Sequence, residues 1–272
     1  MKELDSELEL IIRLGSFLLV ILTLIFMETA RPRRKLYYSK TKRWITNFGF
    51  SITNTIMMNL AFPIVGVAAS LFATNKGWGL FNIIDTPAII TIPLYLLLFD
   101  LAIYFQHRLF HTFNPLWRLH RMHHSDVDYD LSTGIRFHPL SITISGFIKI
   151  SLIFLLGPLA IAVLVSEVLL NATSMFNHSN WNLPKKVDAI LRRIIVTPDM
   201  HRVHHSVNSG EYNCNFGFNF PWWDKLFGTY KAQPYLNHDV MNLGIKGLQN
   251  EGAMTYLSLM REPFQKDLEK SD

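Results

Sequence analysis

Long apolar segments constrain this chain more than any other feature, because a helix that crosses a lipid bilayer needs about 20 consecutive apolar residues. Three such segments lie in the N-terminal part of the chain, at Leu8–Glu28, Phe48–Ala73 and Ile83–Phe105. A fourth apolar stretch, Ile142–Leu170, is longer than one crossing requires. Charged residues make up only 17% of the sequence, against about 25% in soluble domains. The sequence therefore predicts an all-α integral membrane protein.

The fourth stretch is interrupted near its middle by Gly157 and Pro158. The part before this interruption, Ile142–Leu156, would form a helix of about 22 Å, which is short of a hydrocarbon core of about 30 Å. A Gly-Pro pair can end a helix and turn the chain back. We therefore predict about three transmembrane helices plus a membrane-embedded helical hairpin, with two full, tightly packed spans as the alternative.

The distribution of basic residues indicates the orientation. The segment Arg31–Arg43 holds seven Lys and Arg in thirteen residues and lies between the first two apolar segments. Such a run between spans is typical of a cytoplasmic loop near anionic lipid headgroups, which we favour over a nucleic-acid-binding segment. With this loop in the cytoplasm, the third apolar segment also ends on the cytoplasmic side.

The N-terminus and the cysteine content bear on the compartment. The first apolar segment follows an acidic start, whereas a secretory signal peptide starts with positive charge, so we interpret it as a retained helix. Cys214 is the single cysteine, which excludes an internal disulfide and gives no reason to expect an oxidising compartment. We predict a multi-pass protein of the bacterial inner membrane or the endoplasmic reticulum, with no nucleic-acid partner.

Eight of the 11 histidines fall into three short clusters with the spacings H-x3-H, H-x2-H-H and again H-x2-H-H. The clusters are, in chain order, His107 and His111; His120, His123 and His124; and His201, His204 and His205. Helix positions i, i+3 and i+4 lie on one face, so each cluster can direct two or three imidazoles to one point. Imidazole is a ligand for Zn, Cu, Fe and Ni. Eight histidines exceed the needs of one tetrahedral ion, which favours two metal ions.

Other interpretations of the histidines explain less. A pH sensor would not require the repeated geometry, and a zinc protease needs a glutamate base as in HExxH, but no acidic residue lies within any cluster. His238 stands alone and is interpreted as an ordinary structural histidine. A membrane protein that stores or transports metal remains the alternative. Transport calls for polar residues along the spans, and the third span offers only Asp85 and Asp100.

The pattern resembles that of a known family. The histidine boxes and the segments "LWRLHRMHHS", "RFHPL", "TPDMHRVHHS" and "WWDKLFGTY" are similar to motifs of the fatty acid hydroxylase/sterol desaturase superfamily. The similarity covers roughly Asp100 to Tyr230. It implies a non-haem centre of two Fe ions that uses O2 to hydroxylate, or to desaturate, an unactivated C–H bond of a membrane lipid such as a sterol or a fatty acyl chain.

The resemblance also implies which residues bind the metal. The eight histidines of the boxes carry over directly, and two further histidines, His138 in "RFHPL" and His178 in "FNHSN", stand where relatives use additional ones. Acidic residues beside the boxes are candidates for hydrogen bonds that orient the imidazoles, or else for an ordinary solvated surface. These are Asp126, Asp128, Asp130 and Asp199.

The sequence has no flavin, nicotinamide or iron–sulfur fingerprint. We therefore expect a separate electron donor, either cytochrome b5 or a ferredoxin with its reductase. A basic surface that includes Lys185, Lys186, Arg192, Arg193 and Arg202 could bind such a donor.

We expect three parts in the chain. Residues 1–97 form transmembrane helices with the basic loop, residues 98–230 a catalytic domain whose histidine-rich helical cap faces the cytoplasm, and residues 231–272 a cytoplasmic C-terminal tail. The sequence leaves open which lipid is the substrate.

Overall fold

The computed structural model describes residues 5–265 and shows a helical protein without β-strands in that range. The α-helices are α1 (Ser6–Ala30), α2 (Lys40–Ala61), α3 (Gly66–Asn75), α4 (Leu80–Ile83), α5 (Ala88–Thr112), α6 (Asn114–His124), α7 (Pro139–Leu156), α8 (Ala160–Asn177), α9 (Lys185–Leu191), α10 (Pro198–His204), α11 (Ser209–Tyr212), α12 (Trp222–Leu226) and α13 (Tyr256–Arg261). Short 3-10 helices lie at Leu131–Ile135, Glu251–Met254 and Glu262–Phe264.

The predicted all-α membrane fold is confirmed. In the described range, five helical segments are long and apolar enough to cross a membrane: α1, the stretch from α2 to α4, α5, α7 and α8. The apolar side chains of α1 are largely exposed, for example Leu19 at 67% and Leu22 at 64%. Such exposure is unfavourable in water and is the normal state of a surface that faces lipid. The chain is therefore a multi-pass membrane protein.

The second predicted span is not one straight helix. Instead, α2 begins inside the basic segment at Lys40 and ends at Ala61, and α3 starts only at Gly66. Pro63 lies between them. Proline lacks a backbone N–H and disfavours the helical conformation of the preceding residue, so the helix ends before it. Gly66 has a positive φ of 52°, and a Cβ atom there would lie 2.8 Å from the Glu167 carboxylate.

The predicted hairpin corresponds to α7 and α8, which the segment from Gly157 to Leu159 connects. Gly157 adopts the left-handed conformation (φ 63°) that commonly ends a helix, and a side chain there would collide with the backbone of Trp78. Each helix has 18 residues and is about 27 Å long, which is compatible also with two full spans. Both helices pack against α3 and α5.

The end of the basic segment lies inside the protein. Arg43 is only 3% exposed, and its guanidinium donates hydrogen bonds to Asp126 at 2.8 and 3.0 Å and to Asp130 at 2.8 Å. Burial opposes ionisation of Asp126, but the neighbouring guanidiniums of Arg43 and Arg136 keep its pKa below the usual range. The expectation that this whole segment borders lipid headgroups is therefore wrong for Arg43.

The aspartates beside the histidine boxes are paired with arginines or backbone N–H groups and do not orient the imidazoles of the boxes. Asp126 and Asp130 pair with Arg43, Asp128 accepts backbone N–H groups of Tyr37 and Tyr38 at 2.7 and 2.6 Å, and Asp199 pairs with Arg33 and Arg202. The carboxylates thus tie the segment between α1 and α2, and the first turn of α2, to the rest of the protein. For Asp126 and Asp130 the partner is the buried Arg43, which no sequence pattern pairs with them.

The chain after residue 230 packs against the histidine-bearing helices in its described part. Glu262 and Arg121, both buried, form an ion pair at 2.6 Å. Met241 and Leu243 pack with Tyr129. The expected tail contains the helix α13, which 3-10 turns flank on both sides, while its last seven residues, 266–272, lie outside the described range. The division of the chain into three parts stays a prediction.

Candidate metal centre

Four helices bring the histidines together. His107 and His111 lie in the last two turns of α5, and α6 folds back against α5 after a turn at Phe113. Asn114 and Pro115 begin α6, where proline is well tolerated because the first N–H groups of a helix have no partner within it. The second box lies on α6 and the third on α10, and His178 caps the C-terminus of α8.

Five imidazoles form the first group, in which one nitrogen of each residue lies within 4.8 Å of the others. Its members are His107, His111, His120, His124 and His204. The Nε2 atom of His107 lies 3.1 Å from that of His120 and 3.0 Å from that of His204. The Nε2 atoms of His111 and His124 are 3.1 Å apart.

Three further imidazoles, those of His123, His178 and His205, form the second group. The Nε2 atom of His178 lies 3.1 Å from that of His123 and 3.2 Å from that of His205. His201 lies beside His204 and His205 and thereby links the two groups. Its side chain is fully buried, yet neither ring nitrogen has a hydrogen-bond partner among the described residues.

Backbone carbonyls orient four of these rings, one through each Nδ1 atom. The pairs are His107 with Phe216 O (2.9 Å), His123 with Arg136 O (3.0 Å), His178 with Ser174 O (2.7 Å) and His204 with Cys214 O (2.7 Å). A carbonyl accepts only, so each Nδ1 carries the proton and each Nε2 presents a lone pair. Lone pairs of His107 and His204 therefore face each other at 3.0 Å, an arrangement that a cation bound between them would stabilise.

Metal ions fit this arrangement better than protons. Burial, reinforced by the neighbouring imidazoles, lowers the pKa of His124 and His205 well below the usual value, so these rings are neutral near pH 7. Two nitrogens bound to one metal ion by bonds of about 2.1 Å lie about 3.0–3.4 Å apart at ordinary coordination angles. The observed spacings of 3.0–3.2 Å match this range. The donor set therefore fits two imidazole-ligated ions.

His138 lies outside both groups, so the structure does not bring together all ten predicted residues. Its Nδ1 atom accepts a hydrogen bond from the backbone N–H of Leu140 and caps α7, and its Nε2 atom lies 3.2 Å from the carbonyl oxygen of Met260. Both ring nitrogens thus have partners elsewhere. The motif "RFHPL" instead contributes the Arg136 carbonyl that orients His123.

The chain between α11 and α12 is a part of the site that the sequence did not reveal. The Phe216 and Cys214 carbonyls come from it, and two buried carboxylates hold it in place. Asp224 accepts the N–H groups of Phe216 and Gly217 at 2.8 Å each, and Asp100 accepts the N–H of Asn219 at 3.0 Å. The sequence feature that could have indicated this role of the segment is Asp224 within "WWDKLFGTY". Asp100, which a metal transporter could use along its path, instead has a structural role because it binds this backbone N–H group.

A cavity of about 570 Å³ extends from the first histidine group between α1, α2, α5, α7 and α8. His107 and His120 line it together with apolar side chains such as Phe17, Ile103 and Phe110. Its volume lies within the range of about 300–1,000 Å³ that is typical of ligand sites. The cavity thus connects the candidate metal centre with the interior of the membrane-spanning part.

Comparisons with known proteins agree with this geometry. The chain is 33% identical to alkylglycerol monooxygenase from Homo sapiens over 49% of its length and 29% of the relative. It is 32% identical to an ornithine lipid hydroxylase from Rhizobium tropici over 66% of its length and 52% of the relative. It is 28% identical to human cholesterol 25-hydroxylase over half of each chain. The chain thus spans about half the length, or less, of these curated relatives.

The family comparison covers the histidine boxes. No solved structure gives a significant match, but the family model described as Fatty acid hydroxylase matches residues 92–229, about half of the chain. This range contains the eight histidines of the two groups, His201, which links them, and His138. The protein therefore belongs to the fatty acid hydroxylase family.

Proposed function

We propose that the protein is an O2-dependent hydroxylase of a membrane lipid and that it binds two Fe ions. One observation carries the proposal: eight imidazoles converge in two groups that His201 links, and backbone carbonyls turn Nε2 lone pairs toward each other. Relatives named as lipid hydroxylases and monooxygenases support an oxidoreductase of this kind. When bound, iron would supply the activation of O2.

The residues of the chain have three tasks in this proposal. The two histidine groups hold the metal ions, and the carbonyls behind them keep each ring in one tautomer. Burial of the rings excludes bulk water from the centre, which protects a reactive site from side reactions. The cavity admits a lipid from the bilayer and ends at His107 and His120, where the C–H bond that reacts would be placed.

Hydroxylation is favoured over desaturation because the similar proteins are named as hydroxylases or monooxygenases. Both reactions begin with removal of a hydrogen atom from carbon, so the ligands alone do not distinguish them. Analysis of the product does.

Electrons would come from a separate partner, cytochrome b5 or a ferredoxin with its reductase. Of the basic residues considered for its binding, Lys185, Lys186 and Arg193 are exposed. Arg202 is fully buried and pairs with Asp199, so it is not available at the surface.

We further propose that the histidine groups face the cytoplasm, in a bacterial inner membrane or the endoplasmic reticulum.

The test is to purify the protein and to measure its metal content and its use of isotopically labelled O2 with a lipid extract, with a reductant supplied. The proposal predicts two Fe per chain and one labelled oxygen atom in a lipid product. A protein that binds Zn or Fe and does not consume O2 with any lipid would contradict it and would support the alternative of metal storage or transport.

Single substitutions separate true ligands from structural histidines. We expect His178→Ala to lower the iron content by about one ion per chain, because His178 lies within 3.2 Å of two other ligand nitrogens. His138→Asn should leave the iron content unchanged, because asparagine can still cap α7. Metal analysis of both purified variants checks this. Equal iron loss in both variants would show that His138 is a ligand after all.

A further inference from the structure

The cavity beside the histidines is more polar than a pocket for a purely apolar lipid needs to be. Amide and hydroxyl side chains line it along its length, namely Ser16, Ser51, Asn54, Thr55, Asn59 and Asn171. Within a membrane such groups are costly unless they meet polar partners. Asn54 and Gln106, which also line the cavity, each have a buried side-chain oxygen without a hydrogen-bond partner among residues 5–265.

The charges along the cavity are positive. Apart from the histidines, its charged lining residues in the described range are Arg13 and Lys149, and no carboxylate lines it. Arg13 already pairs with Glu9 and Glu167, at 2.7 Å each. Lys149 forms no ion pair with any described residue. Among the described residues, none neutralises the Lys149 ammonium at this cavity.

Lys149 lies deep within a membrane-spanning segment. It is ten residues beyond Pro139, so it lies about 15 Å along α7 from the end beside the histidines. Arg13 lies about 22 Å along α1 from Glu28, which accepts hydrogen bonds from Leu131 and Asn180 near the metal centre. The two cations thus mark the end of the cavity remote from His107 and His120.

An ammonium group inside a membrane segment is expensive and is normally retained for a function. Since no described residue pairs with Lys149, we infer that a molecule that enters the cavity supplies the counter-charge. A lipid with an anionic group at Lys149 would extend its hydrocarbon chain toward His107 and His120, which line the other end. The unpaired oxygens of Asn54 and Gln106 could accept hydroxyl or N–H groups of the same molecule.

We propose that Lys149 binds the anionic group of the lipid substrate, which is a carboxylate or a phosphate. The protein would thereby select anionic lipids and place a carbon of their hydrocarbon chain at the metal centre. The assignment rests on the proposed function, because it identifies the cavity as the substrate site. It makes Lys149 a determinant of specificity that acts far from the reacting atoms.

Binding of three lipids with the same oleoyl chain tests the proposal. The probes are oleate, oleoyl lysophosphatidic acid and the neutral monooleoylglycerol, titrated against the iron-loaded protein in nanodiscs of phosphatidylcholine. The wild type should bind one or both anionic probes more tightly than the neutral probe, and the probe that binds best tells carboxylate from phosphate. Lys149→Gln should weaken binding of that probe by at least about tenfold and leave monooleoylglycerol unchanged.

Two further variants sharpen the result. Lys149→Arg keeps the charge and should retain the preference for anionic lipid. Lys76→Gln removes one positive charge from the exposed surface and should change no affinity. Unchanged binding of monooleoylglycerol shows that each variant is folded. Equal affinities of all three probes for the wild type, or undiminished anionic binding by Lys149→Gln, would overturn the assignment.

Turnover measured in parallel separates the two proposals. If the wild type and Lys149→Gln oxidise monooleoylglycerol and oleate equally well, the lipid hydroxylase stands and the role of Lys149 is refuted. If no lipid is oxidised but anionic binding depends on Lys149, the hydroxylase fails and the anionic site stands.

Discussion

The His204→Ala variant is expected to remain folded but to lose lipid oxidation and most of its bound iron. His204 belongs to the five-membered group and also lies beside His201 and His205, so its removal should weaken both proposed metal positions. Its Nε2 atom lies 3.0 Å from that of His107. Loss of an outer-sphere partner typically lowers metal affinity or activity by about 10–100-fold, and loss of a direct ligand should exceed that range.

The measurement combines iron analysis with product formation from a lipid extract. His123→Ala, which affects the second group, should give the same loss of product. His238→Ala is the matched control, because His238 lies outside both groups and near Asp199, and it should retain iron and activity. Full activity of both His204→Ala and His123→Ala would refute the metal centre.

The Arg43→Met variant is expected to be strongly destabilised, by about 3–5 kcal/mol, because it leaves the buried carboxylates of Asp126 and Asp130 without their main counter-charge. The free energy of unfolding, measured in mixed micelles, checks this. Lys42→Met removes a charge from an exposed side chain of the same helix and should change the free energy by about 0.5 kcal/mol or less.

A second variant identifies the cause. Adding Asp126→Asn and Asp130→Asn to Arg43→Met removes the unpaired charges and should recover part of the stability. No recovery, or an effect of Arg43→Met no larger than that of Lys42→Met, would show that this ion cluster does not stabilise the fold.

The effect of Arg43 should also depend on pH. The pKa of Asp126 is depressed in the folded protein, so its contribution to stability is present above the pKa of the unfolded chain, about 3.9. It is lost as the pH falls through the lower, folded value. The difference in stability between wild type and Arg43→Met should therefore be large at pH 7 and should shrink at strongly acid pH.

Some features could be read from the sequence because they depend on local pattern. Apolar length alone predicts membrane helices, since every backbone polar group in a bilayer must be satisfied within the segment. The i, i+3, i+4 spacing places His120, His123 and His124 on adjacent turns of one helix whatever surrounds it. The break at Pro63 is a local signal as well, because proline disfavours the helical conformation of the residue before it.

Other features depend on contacts between distant segments. The partners of Asp126 and Asp130 come from Arg43, more than 80 residues away, and no spacing rule predicts them. His138 carries the same chemistry as His178, but only the packing of α7 turns one away from the centre and the end of α8 turns the other into it.

The sequence by itself therefore determined an α-helical membrane protein with three histidine boxes, because helix periodicity and bilayer thickness are local constraints. Only the tertiary structure decided which nine imidazoles converge, which carbonyls orient them, and that Lys149 faces a cavity leading to them. The physical reason is that ring orientation and cavity lining depend on how separate helices pack, and packing joins residues such as His107 and His204 that lie almost 100 positions apart.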